Sequence, residues 1–275
     1  MFTSSGPTLR ELAVQALSSV ERGYDLLAPK FDATPFRTPD RLLDPFVTSV
    51  RPLGPFRTGL DVCTGTGAGV GALRRLCDTR VVGVDFSSGM LDRARARYGS
   101  GTVPSGPARE AAEARLPEDR AEGPEEEVAV GEPYRSPAVD WVRADARALP
   151  FGPGFDLAVS FGAFGHFLPR ERPALFAGVY RALRPGGLFA FPLPAPPPVG
   201  SAPYWTLLGF DTAMRVRNAV WRPPFVMYYR TFPLAPVRED LIRAGFEVGL
   251  RPMEELGRRP DGSPKCRLVL ARRPG

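Results

Sequence analysis

Strands and helices that alternate from about residue 59 to the C-terminus predict an α/β fold with a mostly parallel sheet. Three observations carry this reading. Short apolar runs such as GLDVC (59–63), VVGVD (81–85) and FDLAVSF (155–161) have the length and β-branched content of buried strands. Between them lie segments with apolar residues three and four apart, the spacing of one helix face. Gly and Pro punctuate the junctions, as in Pro185-Gly186-Gly187. The chain has 275 residues, 43% of them hydrophobic and 24% charged, which is enough apolar side chain for a sizeable core and excludes disorder for most of it.

The elements follow in order. Residues 8–21 read as a helix with a capping box at Thr8 and Glu11, and a short helix is expected around 40–50. The strand at 59–63 leads through a Gly-rich turn into a helix at 67–76. The strand at 81–85 leads into a helix at 87–98, capped by Ser87 or Ser88. VDWVRA (139–144) and FDLAVSF (155–161) are the third and fourth strands. A helix at 173–184 stops at Pro185-Gly186-Gly187, and GLFAFPL (187–193) is the fifth strand. VREDLIRAGF ends a helix with Gly245 at its C′ position, and strands at 246–252 and 266–273 close the chain.

Two segments interrupt the alternation. Residues 99–138 carry nine acidic against four basic residues and little apolar surface, the composition of a flexible acidic insertion. Residues 194–235 are Pro-rich but hold Tyr204, Trp205, Phe210, Trp221, Phe225, Tyr228, Tyr229 and Phe232, which suits an aromatic lid.

Composition also narrows the function classes. The formal net charge is +6, yet of 36 basic residues only Lys30 and Lys265 are lysines, and no run of about five or six basic residues occurs. That argues for a compositional bias toward Arg rather than a nucleic-acid surface. Cys63, Cys77 and Cys266 form no CxxC pair, so neither a zinc site nor a disulfide framework is expected. No basic-then-apolar leader opens the chain and no apolar run is long enough to span a bilayer, so a cytoplasmic setting is expected.

The chemistry concentrates in Asp61-Val-Cys-Thr-Gly65-Thr-Gly67-Ala-Gly69, which leaves a predicted strand and opens a helix. Glycines there permit a sharp turn and a close backbone approach to a ligand. Asp85 follows at the end of the next strand, where a carboxylate accepts hydrogen bonds from a ribose in doubly wound sheets. Together they point to a nucleoside-like ligand. Gly67, Gly69 and Ala72 also fit the dinucleotide pattern GxGxxG/A, but that register starts too far past the strand end and leaves Asp61 without a role.

From about Tyr24 to Gly187, with a weaker tail to 273, the sequence resembles the class I S-adenosylmethionine (SAM)-dependent methyltransferases. LDVCTGTG (60–67) is similar to their first motif, with Cys63 where many members have a Gly. VVGVDFSSGML (81–91) resembles the second motif of the ubiquinone/menaquinone C-methyltransferase group, ADARALPF (144–151) their adenine-binding stretch, and FDLAVSFGAFGHF with LRPGG (183–187) their later motifs. The resemblance implies a Rossmann-like seven-stranded, mostly parallel sheet with helices on both faces and an antiparallel last strand. It implies one methyltransferase domain over residues 1–275, with an N-terminal helical lid over 1–55, and SAM as cofactor.

It also implies residue roles. Asp61 and the loop residues Cys63, Thr64, Gly65, Thr66 and Gly67 hold the methionine moiety. Asp85 accepts the ribose hydroxyls, Phe86 and Met90 lie against the adenine, Asp145 accepts from its amino group, and the Ala146 N–H donates to the ring. Ser160 and Phe161 line the methyl-transfer site. His166, the single histidine, lies just past the fourth strand and is the candidate general base, ahead of Tyr24, Tyr204, Tyr228 and Tyr229. No metal is implied. The [DN]PP[FY] signature of nucleic-acid amino methyltransferases is replaced by SFGAF, so the expected acceptor is a small, apolar or aromatic molecule. The competing readings are an NAD(P)-dependent oxidoreductase and a non-catalytic SAM-binding protein.

Overall fold

The computed structural model describes residues 20–34, 37–99, 136–221 and 233–275. Seven strands form one sheet: β1 (Phe56–Val62), β2 (Cys77–Asp85), β3 (Ala138–Arg143), β4 (Phe155–Val159), β5 (Leu183–Pro194), β6 (Glu247–Pro252) and β7 (Cys266–Arg272). Their order across the sheet is β3-β2-β1-β4-β5-β7-β6. The first five run parallel, and β7 lies antiparallel to both β5 and β6. This is the expected mostly parallel sheet with an antiparallel last strand. Strand order reverses between β1 and β4, and a ligand crevice opens at such a switch point, beyond the carboxyl ends of the strands.

The period of two along the strands explains why both faces are covered. Leu60, Val62, Val82, Val84, Phe189 and Phe191 enter one core. Val81, Leu157, Val159, Leu188 and Ala190 enter the other. Helices α5 (Arg172–Ala182) and α7 (Leu234–Arg243) pack on the first face through Leu175, Phe176, Val179, Val237 and Leu241. Helices α2 (Asp40–Val50) and α3 (Ala68–Leu73) pack on the second through Phe46, Val50, Val70 and Leu73. Phe164 meets Phe191 edge-on, with centroids 4.7 Å apart, and so ties the turn after β4 to the first core.

Most expected elements stand within a few residues of their predicted bounds. Helix α4 (Ser88–Tyr98) is capped by Ser87, whose hydroxyl accepts from the Met90 N–H at 3.1 Å. Gly245 takes the left-handed conformation after α7, with φ of 101°. Three differences have physical causes. Helix α3 stops at Leu73 rather than 76, because the Arg75 and Leu76 N–H groups turn back on Ala72 and Leu73 to enter β2. Helix α5 ends at Ala182, and β5 already begins at Leu183, where it pairs with Phe155 before the Gly-rich stretch.

The third difference is a helix that was not anticipated, α6 (Ala202–Trp221), inside the segment read as a lid. Ser201 accepts from the Tyr204 N–H at 3.3 Å and caps it, a start signal obscured by the surrounding prolines. Tyr204 and Trp205 stack edge-on at 5.2 Å, and Trp205 is exposed. Residues 8–19 of the first expected helix, residues 100–135 of the acidic insertion and the aromatics Phe225, Tyr228, Tyr229 and Phe232 lie outside the described residues. So do the side chains of Phe210 and Trp221. A short helix α1 (Val20–Leu27) and a 3-10 turn (Ala28–Ala33) precede α2. Among the described residues no helix is long and apolar enough to cross a membrane.

Candidate active site

A cavity of about 490 Å³ opens at the carboxyl ends of β1, β2 and β3. Its floor comes from the loops that follow these strands. β1 runs out at Val62, and the chain then needs left-handed backbone at Cys63 (φ 59°), Gly65 (φ 53°) and Gly67 (φ 92°) to turn into α3. The Thr64 N–H donates to the Val84 carbonyl at 2.8 Å and pins this loop to β2. Nothing stands within 4 Å of where a Gly65 side chain would begin, so this glycine faces open space in the cavity wall.

Asp85 ends β2 and is almost wholly buried. Its Oδ2 accepts from the Gly65 N–H at 2.9 Å and its Oδ1 from the Ser87 N–H at 3.0 Å. Burial pushes its carboxyl above the usual carboxylate range, and these hydrogen bonds partly oppose the shift. Phe86 and Met90 follow on the same wall, while Asp145 and Ala146 enter from the 3-10 turn after β3. Asp145 is held low by the Arg147 guanidinium, whose Nη2 stands 2.7 Å from its Oδ2. Of the expected ligand-binding residues, Cys63, Gly65, Asp85, Phe86, Met90, Asp145 and Ala146 line this one cavity.

The others are placed behind it. The Asp61 Oδ2 accepts from the Thr64 hydroxyl at 2.5 Å, and its carboxylate also accepts from the Val70 backbone. A Cβ on Gly69 would stand 2.3 Å from Asp61 Oδ1, so the carboxylate is packed under the first turn of α3. Burial, with the Asp85 charge beside it, pushes Asp61 up to about 7. Ser160 donates to the Val62 carbonyl at 2.8 Å and locks β4 to β1. Phe161 stacks edge-on against Phe46 at 4.8 Å in the second core. Thr66 and Gly67 shape the loop, with Thr66 donating to Asp32 at 2.7 Å. His166 closes the 3-10 turn Ala163–His166 beyond β4, and its side chain lies outside the described residues.

The remaining walls were not singled out as ligand-binding from sequence. Tyr24 and Phe31 reach the cavity from α1 and the turn after it, and Phe167, Leu168 and Glu171 from the approach to α5. The N-terminal segment is fastened over the site by two carboxylates. Asp25 Oδ1 accepts from the Ser87 hydroxyl at 2.6 Å and from the Gly89 N–H at 2.9 Å. Asp32 accepts from Thr66. The signal in the sequence was only two Asp residues in a Pro-punctuated stretch, with nothing local to name their partners. Among the described residues no cluster of His, Cys, Asp or Glu is arranged to hold a metal ion.

The chemistry of the cavity suits an adenosyl group with a sulfonium. It offers the Asp85 and Asp145 carboxylates as acceptors, aromatic and thioether surface from Tyr24, Phe86 and Met90, and a wall at Gly65 without a side chain. The dinucleotide register is disfavoured by the same geometry. Gly69 is needed for Asp61, and a Cβ on Gly67 would meet the Tyr98 ring at 2.8 Å, so both glycines serve internal packing rather than a ligand.

Residues 60–191 match the family model described as a methyltransferase domain. No curated protein matches the sequence. Among solved structures, the chain is similar to the DhpI–SAH complex, with TM-score 0.56 and 16% identity over 97% of this chain and 99% of that one. It is also similar to an O-methyltransferase family protein from Burkholderia thailandensis, with TM-score 0.57 and 17% identity over 97% and 67%. Human N-acetylserotonin methyltransferase in complex with SAM matches with TM-score 0.52 and 13% identity over 93% and 57%. At such identities these structures share the fold. Residues 60–191 are thus a methyltransferase domain, and this domain with the cavity at its strand ends supports an S-adenosylmethionine-dependent methyltransferase with S-adenosylmethionine as cofactor.

Proposed function

We propose that the protein methylates a small apolar or aromatic acceptor inside the cavity covered by its N-terminal segment, in a cytoplasmic setting. The observation that carries this reading is the buried Asp85 carboxylate, bonded to the Gly65 N–H, in a cavity walled by Tyr24, Phe31, Phe86 and Phe167. The cofactor, when bound, supplies a methyl group already activated on a positively charged sulfur.

The protein's work is then to bind and orient. Asp85 accepts the ribose hydroxyls, Asp145 accepts from the adenine amino group, and Phe86 and Met90 flank the ring. Asp61 sets the loop shape from beneath, and the backbone around Gly65 receives the methionine portion. The cover formed by α1 and its 3-10 turn excludes water, and good positioning of two reactants supplies about 7–11 kcal/mol of a barrier. The acceptor is favoured as a small molecule because the N-terminal segment adds the apolar rings of Tyr24 and Phe31 to the cavity wall. A quinone is one member of that class.

His166 holds the place of a base only if the acceptor must lose a proton. His166→Ala is expected to weaken cofactor binding more than it lowers kcat, as for a residue near the cofactor rather than a base. The deciding experiment is calorimetry with S-adenosylhomocysteine (SAH) and with NAD. SAH is expected to bind and NAD not, and the reverse order would overturn the reading.

A further inference from the structure

Arg147 joins two walls of the cavity that the sequence leaves 24 residues apart. Its backbone N–H donates to Asp145 Oδ1 at 2.8 Å, its Nε lies 3.0 Å from both Asp145 oxygens, and its Nη2 donates to Oδ2 at 2.7 Å. Its Nη1 donates to Glu171 Oε1 at 2.6 Å. Glu171 Oε2 in turn accepts from the Leu168 N–H at 2.8 Å, so the chain of bonds ends on backbone at the far wall. All four residues line the cavity.

A carboxylate has about four acceptor positions. The Arg147 backbone N–H takes one on Oδ1, Nη2 takes one on Oδ2, and the single Nε–H is shared between the two oxygens, so three donors leave one open position on Asp145. The planar fork of a guanidinium fixes that geometry in a way a lysine cannot. Asp145 and Arg147 are both nearly half exposed, so the ion pair itself contributes little to stability. Its consequence is directional. We propose that Arg147 is a positioning residue for base recognition, which presents one acceptor of Asp145 to an exocyclic amino group and is itself held by Glu171.

The proposal rests on the SAM reading, and its test separates the two. SAH and S-inosylhomocysteine, in which a carbonyl replaces the amino group, are titrated by calorimetry into the wild type, Arg147→Met, Arg147→Lys and Glu171→Gln. The wild type is expected to prefer SAH by at least about tenfold. Arg147→Met is expected to reduce that preference below about threefold with the thermal midpoint little changed, and Arg147→Lys to restore only part of it. Glu171→Gln is expected to lose part of it, because the one amide oxygen cannot accept from both Nη1 and the Leu168 N–H. In Arg147→Met the acid limb of SAH binding is expected to move to higher pH, as Asp145 loses the cation that holds it low. A purely structural role weakens both ligands equally, and an unchanged ratio in Arg147→Met overturns the proposal while the cofactor assignment stands. A wild type that binds neither ligand overturns both.

Discussion

The Gly65 N–H donates to Asp85 Oδ2 at 2.9 Å, so the loop after β1 and the carboxylate that ends β2 form one continuous wall. Asp85→Ala removes the proposed acceptor for the ribose hydroxyls and frees the Gly65 loop together. Charge-assisted hydrogen bonds of this kind are each worth about 1.5–3 kcal/mol, and 1.4 kcal/mol is a decade in affinity. SAH affinity is expected to fall by at least about tenfold in a variant that remains folded. An unaltered dissociation constant by calorimetry would remove Asp85 from the site.

Asp61 makes stability depend on pH. In the folded chain it keeps its proton up to about 7, against 3.8 for the free side chain. The native state therefore binds more protons than the unfolded state across that interval. The stability Asp61 contributes is full below the lower value and is lost as pH rises through the upper one. Asp61→Asn, which stays neutral, is expected to match the wild type in Tm only as pH falls to about 4 and to exceed it by several degrees near about pH 8. A difference in Tm that is the same at both pH values would show that Asp61 is ionised throughout.

Cys63 occupies left-handed backbone with φ of 59°, a conformation that costs an L-residue about 1–2 kcal/mol. Cys63→Gly relieves that strain and loses the packing of one small side chain, so stability by urea denaturation is expected within about 1 kcal/mol of the wild type. Cys63→Val, with branching at Cβ, is expected to be clearly worse. Burial and the charges of Asp85, Asp61 and Asp145 push the thiol well up, so Cys63 is expected to react slowly with iodoacetamide near neutral pH. Rapid labelling of this residue would contradict the geometry of the loop.

Asp25 holds α1 to the cap of α4 through Ser87 and Gly89. Each bond contributes about 0.5–1.5 kcal/mol net, and both disappear in Asp25→Ala. Limited proteolysis is expected to cut within residues 20–34 faster in the variant, with SAH restoring part of the protection. Equal cleavage rates for variant and wild type would mean that the segment is held by its apolar contacts alone.

Short, near-continuous apolar runs were enough to place the strands, because strands of a parallel sheet are buried on both faces. Turn chemistry marked the loop after β1 and the cap of α4, since Gly in left-handed backbone and Ser at a helix start act within a few residues. The candidate site was legible to the same depth: Gly65, Asp85 and Asp145, at or just past strand ends, share one cavity with Met90 from the first turn of α4. What local pattern does not encode is the direction of a side chain among packed neighbours. Asp61 turns under α3 because Gly69 leaves room for it, and Ser160 and Phe161 turn away from the cavity to the Val62 carbonyl and to Phe46. Pairs distant in sequence are also set by tertiary packing alone. Asp25 with Ser87, Asp32 with Thr66 and Arg147 with Glu171 meet only once β1, β2 and β3 lie side by side and bring their following loops to one edge.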